Sequence, residues 1–221
     1  MASSMKYLVL YGEKLGPPNP YKVQLILSDL GLPYEVKTVA QEDIKGPEYT
    51  AINPNGRLPA LYDPNTDITL WESGAIIQYV IAEYDKEHKL SFPAGSKEAH
   101  LVNQWMHFQM SGQGPYYGQA SWFVMYHPEK VPSAIERYKN EINRVTMVLD
   151  KWLADKEYLV GNKCTYADLS FIAWQEYVPR VFPDLEIEKN APNVTAWMER
   201  MHSRPAVAEM RRKRMEEVSK Y

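Results

Sequence analysis

The sequence predicts two joined parts, an α/β domain over residues 1–88 and an all-α helical bundle over residues 96–221, and three observations carry that division. A β-rich run, a helical run and a second β-rich run follow one another within the first forty residues, which makes a β-α-β unit. Two short apolar runs across the turn Pro64-Asn65-Thr66-Asp67 then read as a hairpin leading into another helix. Beyond Gly95 the apolar residues recur at helical spacing.

Residues 6–11 are β-rich through Tyr7, Leu8, Val9 and Leu10 and stop at Gly12. Residues 13–20 hold Gly16, Pro17, Pro18 and Pro20 and read as a loop. Pro20 then takes a first helical position with Asn19 as N-cap, and Val23, Leu25, Ile26, Leu27 and Leu30 repeat up to Gly31 and Pro33. Residues 34–39 alternate as a second strand, and 41–51 are weakly helical. Residues 60–62 and 68–71 form the hairpin, and Ser73 is the N-cap of a helix through Ile76, Ile77, Val80, Ile81 and Tyr84. The order β-α-β then β-β-α is that of a thioredoxin-like domain. Residues 85–95 are polar and aperiodic with Pro93 and Gly95, so the linker falls there. In the second part, 97–111 is a helix that breaks at Gly112, Gly114 and Pro115, and a short aromatic segment follows over 119–126. Residues 132–153 form a long helix, Thr165-Tyr166-Ala167-Asp168 has the form of a capping box, and helices over 193–203 and 205–219 finish the chain.

Composition narrows the function classes. The 221 residues carry 25 Lys and Arg against 28 Asp and Glu, a net charge of −3, which gives no electrostatic reason to expect nucleic acid or an anionic membrane as partner. No apolar run approaches the roughly 20 residues that span a bilayer, and residues 1–6 lack the apolar core of an export signal, so a cytoplasmic location is expected. The single cysteine, Cys164, excludes a disulfide framework and a Cys-x-x-Cys redox pair and reads as structural. The five histidines contain no metal-ligand pair, so no metal is expected.

The stretch Asn53-Pro54-Asn55-Gly56-Arg57-Leu58-Pro59 is dense in backbone punctuation and leads into Ala60-Leu61-Tyr62. Pro59 removes a donor where the strand should start, so Leu58 is held extended with its own N–H and C=O available to a ligand. Trp71-Glu72-Ser73-Gly74 adds a helix start, and helix N-termini bind carboxylates. The two together would hold a short peptide with a free α-carboxylate.

Asn-Pro-x-Gly-x-x-Pro before a short strand, then Glu-Ser at a helix start, resembles the glutathione site of the cytosolic glutathione transferases. The resemblance implies that Pro59 is cis, that Leu58 pairs with the cysteinyl backbone of glutathione, and that Glu72 and Ser73 hold its γ-glutamyl end. Arg57 and Lys45 are the candidates for its glycyl carboxylate. The segment Pro17-Pro18-Asn19-Pro20-Tyr21-Lys22-Val23 is similar to Pro-Asn-Gly-x-Lys-Val in the fungal class related to the yeast nitrogen-regulator protein, where the asparagine lies by the glutathione sulfur. Here Pro20 replaces that glycine. The resemblance continues through residues 109–115, 131–138 and 161–170, and it implies a homodimer.

A free thiol with pKa about 8.5 is a few per cent ionised at pH 7, and lowering it by about two units takes about 2.7 kcal/mol of selective stabilisation of the anion. One hydrogen bond to a charged group supplies roughly 1.5 to 3 kcal/mol, so a single donor at the start of the first helix suffices. Asn19 is the first candidate and Tyr11, at the end of strand one, is the rival. Tyr116, Tyr117, Trp122, Phe123 and Tyr126 are the candidate lining of an apolar pocket for the electrophile, in a region that Gly112, Gly114 and Gly118 leave loosely packed.

Three functions fit these residues. The leading one is a glutathione S-transferase that activates the thiolate for attack on an apolar electrophile, in detoxification or in secondary metabolism. The second is a glutathione-dependent cis/trans isomerase of a conjugated alkene, which returns the thiol after the double bond has rotated. The third is a non-catalytic glutathione-binding regulator, disfavoured because the regulator's long asparagine-rich extension has no counterpart ahead of strand one.

Overall fold

The computed structural model describes residues 5–13 and 16–218. The chain end to which the sequence carries the last helix (219) and the second domain (221), together with residues 1–4 and 14–15, lies outside them. The described chain forms two compact units, one running up to Lys89 and resuming at Arg204, the other Leu90–Ser203.

In the first unit, β1 (Leu8–Gly12), β2 (Tyr34–Thr38), β3 (Ala60–Asp63) and β4 (Ile68–Trp71) make one sheet in the order β2-β1-β3-β4. β1 and β2 are parallel, as a β-α-β crossover requires, and β3 runs antiparallel to both β1 and β4. The helices are α1 (Pro18–Leu30), α2 (Pro47–Thr50), α3 (Ser73–Tyr84) and, from the end of the chain, α10 (Pro205–Val218). Leu8, Leu10, Leu61, Leu25, Leu27, Ile76 and Ile77 are buried and form this unit's core. The register opposes Tyr11 with Ala60 and Ala60 with Trp71. That pairing brings the loop after β1, the loop before β3 and the turn after β4 to one end of the sheet.

The helix that the sequence opens at Pro20 begins at Pro18. Its first-turn N–H groups have no intrahelical acceptor, so proline costs nothing there, and the first bond runs from Tyr21 N–H to the Pro17 carbonyl at 3.2 Å. Asn19 is therefore the second helical residue, and Pro17 occupies the N-cap position without a side-chain bond. Of the weakly helical stretch 41–51, only Pro47–Thr50 closes into a helix.

In the second unit, α4 (Lys97–Phe108) passes through a π-helical turn (Gln109–Gln113) into α5 (Gly114–Met125), and α6 (Pro132–Trp152), α7 (Tyr166–Val181), α8 (Ile187–Asn190) and α9 (Pro192–Ser203) follow. The expected break at Gly112, Gly114 and Pro115 is instead this widened turn, in which Gly114 N–H bonds the Gln109 carbonyl five residues back. The extra residue absorbs a proline within an otherwise continuous helix. Gly112 is also tightly packed, since a Cβ there would lie 3.2 Å from the Phe108 ring. The capping box at α7 forms as read, with Thr165 N–H donating to Asp168 Oδ2 at 2.9 Å. The expected linker is anchored: Asp85, Leu90 and Ser91 are buried, and Lys89 N–H bonds Asp85 Oδ1 at 2.7 Å. Among the described residues no helix is long and apolar enough to cross a membrane, and no group of His, Cys, Asp and Glu could hold a metal ion.

Candidate functional site

Three segments of the first unit meet at the end of the sheet just described. The first is the loop before β3. Gly56 N–H closes a turn on the Asn53 carbonyl at 2.9 Å, and Asn55 N–H bonds Asn53 Oδ1 at 3.0 Å. Asn53 Nδ2 at 2.5 Å and Tyr49 Oη at 2.9 Å both donate to the Arg57 carbonyl, so the residue ahead of Leu58 is fixed from two sides. Gly56 has φ +57, and a Cβ there would meet the Lys45 side chain at 2.9 Å and the Ile44 carbonyl at 3.0 Å. The Leu58–Pro59 bond is cis. Neither the N–H nor the C=O of Leu58 has a hydrogen-bond partner among the described residues, as a strand-like ligand would require. Arg57 is exposed and makes no ion pair with a described residue, whereas Lys45 Nζ is held on the Asn55 carbonyl at 3.0 Å.

The second segment is the turn after β4. Glu72, exposed, has φ 69 and ψ 113, a conformation that side-chain-bearing residues rarely hold. It is the N-cap of α3, and the first helical bond runs from Ile76 N–H to the Glu72 carbonyl at 2.9 Å. Ser73, read from the sequence as the N-cap, is thus the first helical residue and is buried. The positive φ of Glu72 turns the chain so sharply that the helix starts at once. The N–H groups of the first turn of α3 still give a positive end for a carboxylate.

The third segment is the start of α1, where the two candidates for the thiol donor separate. Along β1 the residues Leu8, Leu10 and Gly12 are buried, and a Cβ at Gly12 would lie 3.1 Å from Pro20 Cβ, so this face of the strand carries α1. Tyr11 projects from the other face, 6.3 Å from the Tyr49 ring and under Lys37 Nζ at 5.3 Å. There it lines a groove of about 510 Å³ with Lys37, Val39, Asp43, Tyr49 and Ile52. Asn19, half-buried in the first turn of α1, is on the α1 side.

Sequence reasoning missed Lys22. It lies on α1 wholly buried, burial pulls its pKa down to about 7, and the Glu72 carboxylate acts in the opposite sense. The available signal was a lone cation beside Val23, Leu25, Ile26 and Leu27, all of them buried.

In the second unit the five aromatic candidates divide. Tyr117 is wholly buried, with Oη 2.9 Å from Thr146 Oγ1 and 3.3 Å from the Ile142 carbonyl, and its ring stands edge-on to Trp174. It is core, not pocket lining, because α5 turns that face into the bundle. Tyr116 and Phe123 are half-buried against Tyr138 of α6, and Trp122 and Tyr126 are exposed 5.9 Å apart.

A tethered backbone beside a cis proline, a helix start after a positive-φ glutamate and a thioredoxin-like sheet beneath them define the class of the glutathione transferases. Residues 8–82 match the glutathione S-transferase N-terminal domain and residues 115–205 the glutathione S-transferase C-terminal domain. The chain belongs to this family. It is 53% identical over 210 residues to the glutathione S-transferase-like protein tpcF of Aspergillus fumigatus, covering 90% of this chain and 92% of that protein. Glutathione S-transferase 1 of Schizosaccharomyces pombe is 46% identical over 203 residues, covering 86% and 89%. Among solved structures, the glutathione transferase URE2P6 of Phanerochaete chrysosporium, in complex with oxidized glutathione, superposes with a TM-score of 0.91 at 46% identity over 98% of this chain and 99% of that one.

Proposed function

We propose that the chain is a glutathione S-transferase in which the first domain holds the tripeptide and the helical domain presents an apolar electrophile. The observation that carries the proposal is Leu58, whose N–H and C=O lack partners among the described residues beside a cis proline, in a loop whose Arg57 carbonyl is held from two sides. Those groups would pair with the cysteinyl backbone, Glu72 and the head of α3 at Ser73 would take the γ-glutamyl end, and Arg57 with Lys45 would face the glycyl carboxylate. Bound glutathione supplies the nucleophilic sulfur, and Asn19, with a donor amide at the α1 terminus, would keep that sulfur ionised. Tyr116, Phe123, Trp122 and Tyr126 are the side chains offered to the electrophile. A cytoplasmic homodimer belongs to the same proposal and rests on the family resemblance; light scattering at the mass of two chains checks the dimer.

The test is to incubate the protein with glutathione and a conjugated enone and weigh the products. An adduct of the summed mass, formed faster than without protein, is expected. An unchanged mass with altered double-bond geometry would make the protein an isomerase. No turnover and no calorimetric association with millimolar glutathione would remove both.

A further inference from the structure

We propose that Arg214 of α10 is a positioning residue, whose guanidinium clamps the chain on both sides of Asn19 and so fixes where that amide stands relative to the glutathione sulfur. The inference rests on the glutathione assignment above and extends it to a side chain 198 residues beyond the carbonyl it grips.

The segment that carries Asn19 is poor in backbone donors, because Pro17, Pro18 and Pro20 have no N–H. Gly16 N–H bonds the Glu13 carbonyl at 3.3 Å, and Tyr21 N–H bonds the Pro17 carbonyl at 3.2 Å. The chain turns tightly at Gly16, where a Cβ would lie 2.5 Å from Glu13 Cβ. Side chains add what the prolines withhold. Gln24 Nε2 donates to the Glu13 carbonyl at 3.2 Å. Arg214 Nη2 donates to the Gly16 carbonyl at 3.2 Å, and its Cζ lies 4.6 Å from the centroid of the Tyr21 ring. Tyr21 is wholly buried, so this second grip is on the core. Asn19 lies between the two grips, three residues after one and two before the other.

The clamp has a firm base, since α10 packs along α1. Val207 and Met210 of α10 are buried, and Tyr34 Oη donates to Met210 Sδ at 3.8 Å. Arg204, just ahead of α10, donates through Nε to Asp29 at 3.0 Å near the other end of α1. The two arginines thus hold opposite ends of α1, with α10 running antiparallel to it. From Pro18 to Leu27 every residue of α1 except Asn19 is buried, so Asn19 is where a ligand meets this stretch of the helix. A hydrogen bond weakens steeply as its angle closes, so a small shift of the first turn would cost thiolate stabilisation and leave the rest of the tripeptide site intact.

The experiment follows thiolate absorbance against pH at saturating glutathione, and the Kd of S-methylglutathione, which has no thiol to ionise. The proteins are wild type, Arg214→Met, Arg214→Lys, Asn19→Ala and the Asn19→Ala/Arg214→Met double variant. Arg214→Met should raise the pKa of bound glutathione by about 0.5 to 1, part of the rise in Asn19→Ala, with the Kd of S-methylglutathione within about twofold of wild type. Arg214→Lys, which keeps the charge without the planar fork, should fall between wild type and Arg214→Met. The double variant should match Asn19→Ala, because no amide is left to place. An unchanged pKa in Arg214→Met, a full rise in Arg214→Met on top of Asn19→Ala, or Arg214→Lys as acidic as wild type would each overturn the clamp. Arg214→Gln, which keeps a donor but neither fork nor charge, takes the place of Arg214→Met should the latter not fold. Wild type that fails to bind glutathione refutes the proposed function; wild type whose bound thiol is acidic and stays so in Arg214→Met refutes only Arg214.

Discussion

Asn19 and Tyr11 are eight residues apart, Asn19 in the first turn of α1 and Tyr11 in β1 itself. Both could donate to a thiolate in principle, and from sequence both stay open because the alternation of a five-residue strand does not say which of its faces will carry α1. Gly12 against Pro20 settles which face does, and Tyr11 is on the other, beside Tyr49 and Lys37. Asn19→Ala should therefore raise the pKa of bound glutathione by about one to two units, equivalent to about 1.4 to 2.7 kcal/mol, while Tyr11→Phe leaves it unchanged. Thiolate absorbance against pH, at saturating glutathione, reads both. The same shift in both variants would return the role to a shared or indirect effect. Glu72 and Lys22 were illegible in a related way, since a positive φ at a glutamate and burial of a lysine both depend on the assembled neighbours.

Elements are held by a few polar pins. Asp29, near the end of α1, is 5% exposed and receives Arg204 through Nε at 3.0 Å and Nη2 at 2.9 Å, with Lys89 Nζ at 3.2 Å. Arg204 directly precedes α10, so this pin joins that helix to the first unit. Arg204→Met leaves a buried carboxylate with only the half-exposed Lys89, and should cost about 3 kcal/mol in urea denaturation; Lys89→Met should cost less than about 1. Equal costs would mean that the Arg204 pair adds nothing. No local pattern announces α10 as part of the first unit: Pro205 reads as one more helix start, and the pairing partner lies 175 residues away. The α7 capping box was legible because its whole chemistry sits within four residues, Thr165 to Asp168. The π-turn was not, since Gly112, Gly114 and Pro115 signal a stop unless the chain adds a residue to the turn.

At the scale of the molecule, buried ionisable groups tie stability to pH, and Lys22 sets the sign near neutrality. Its folded pKa is about 7 against an ordinary 10.5. Below pH 7 both states are protonated and the burial penalty is fully present. Between 7 and 10.5 the unfolded chain keeps a proton that the folded chain has released, so stability rises with pH, by up to about 1.4 kcal/mol per unit. Tyr117 works in the opposite sense, because burial holds its hydroxyl above the ordinary value of 10, but its effect begins only as the unfolded tyrosine ionises near that pH. The difference between wild type and Lys22→Met in urea denaturation from pH 7 to 9 thus reads Lys22. The midpoint should climb in wild type and stay nearly flat in Lys22→Met, which should also be the more stable of the two at pH 7. A wild-type curve as flat as the variant's would mean that the folded chain keeps Lys22 charged throughout, held by Glu72 more strongly than burial opposes it.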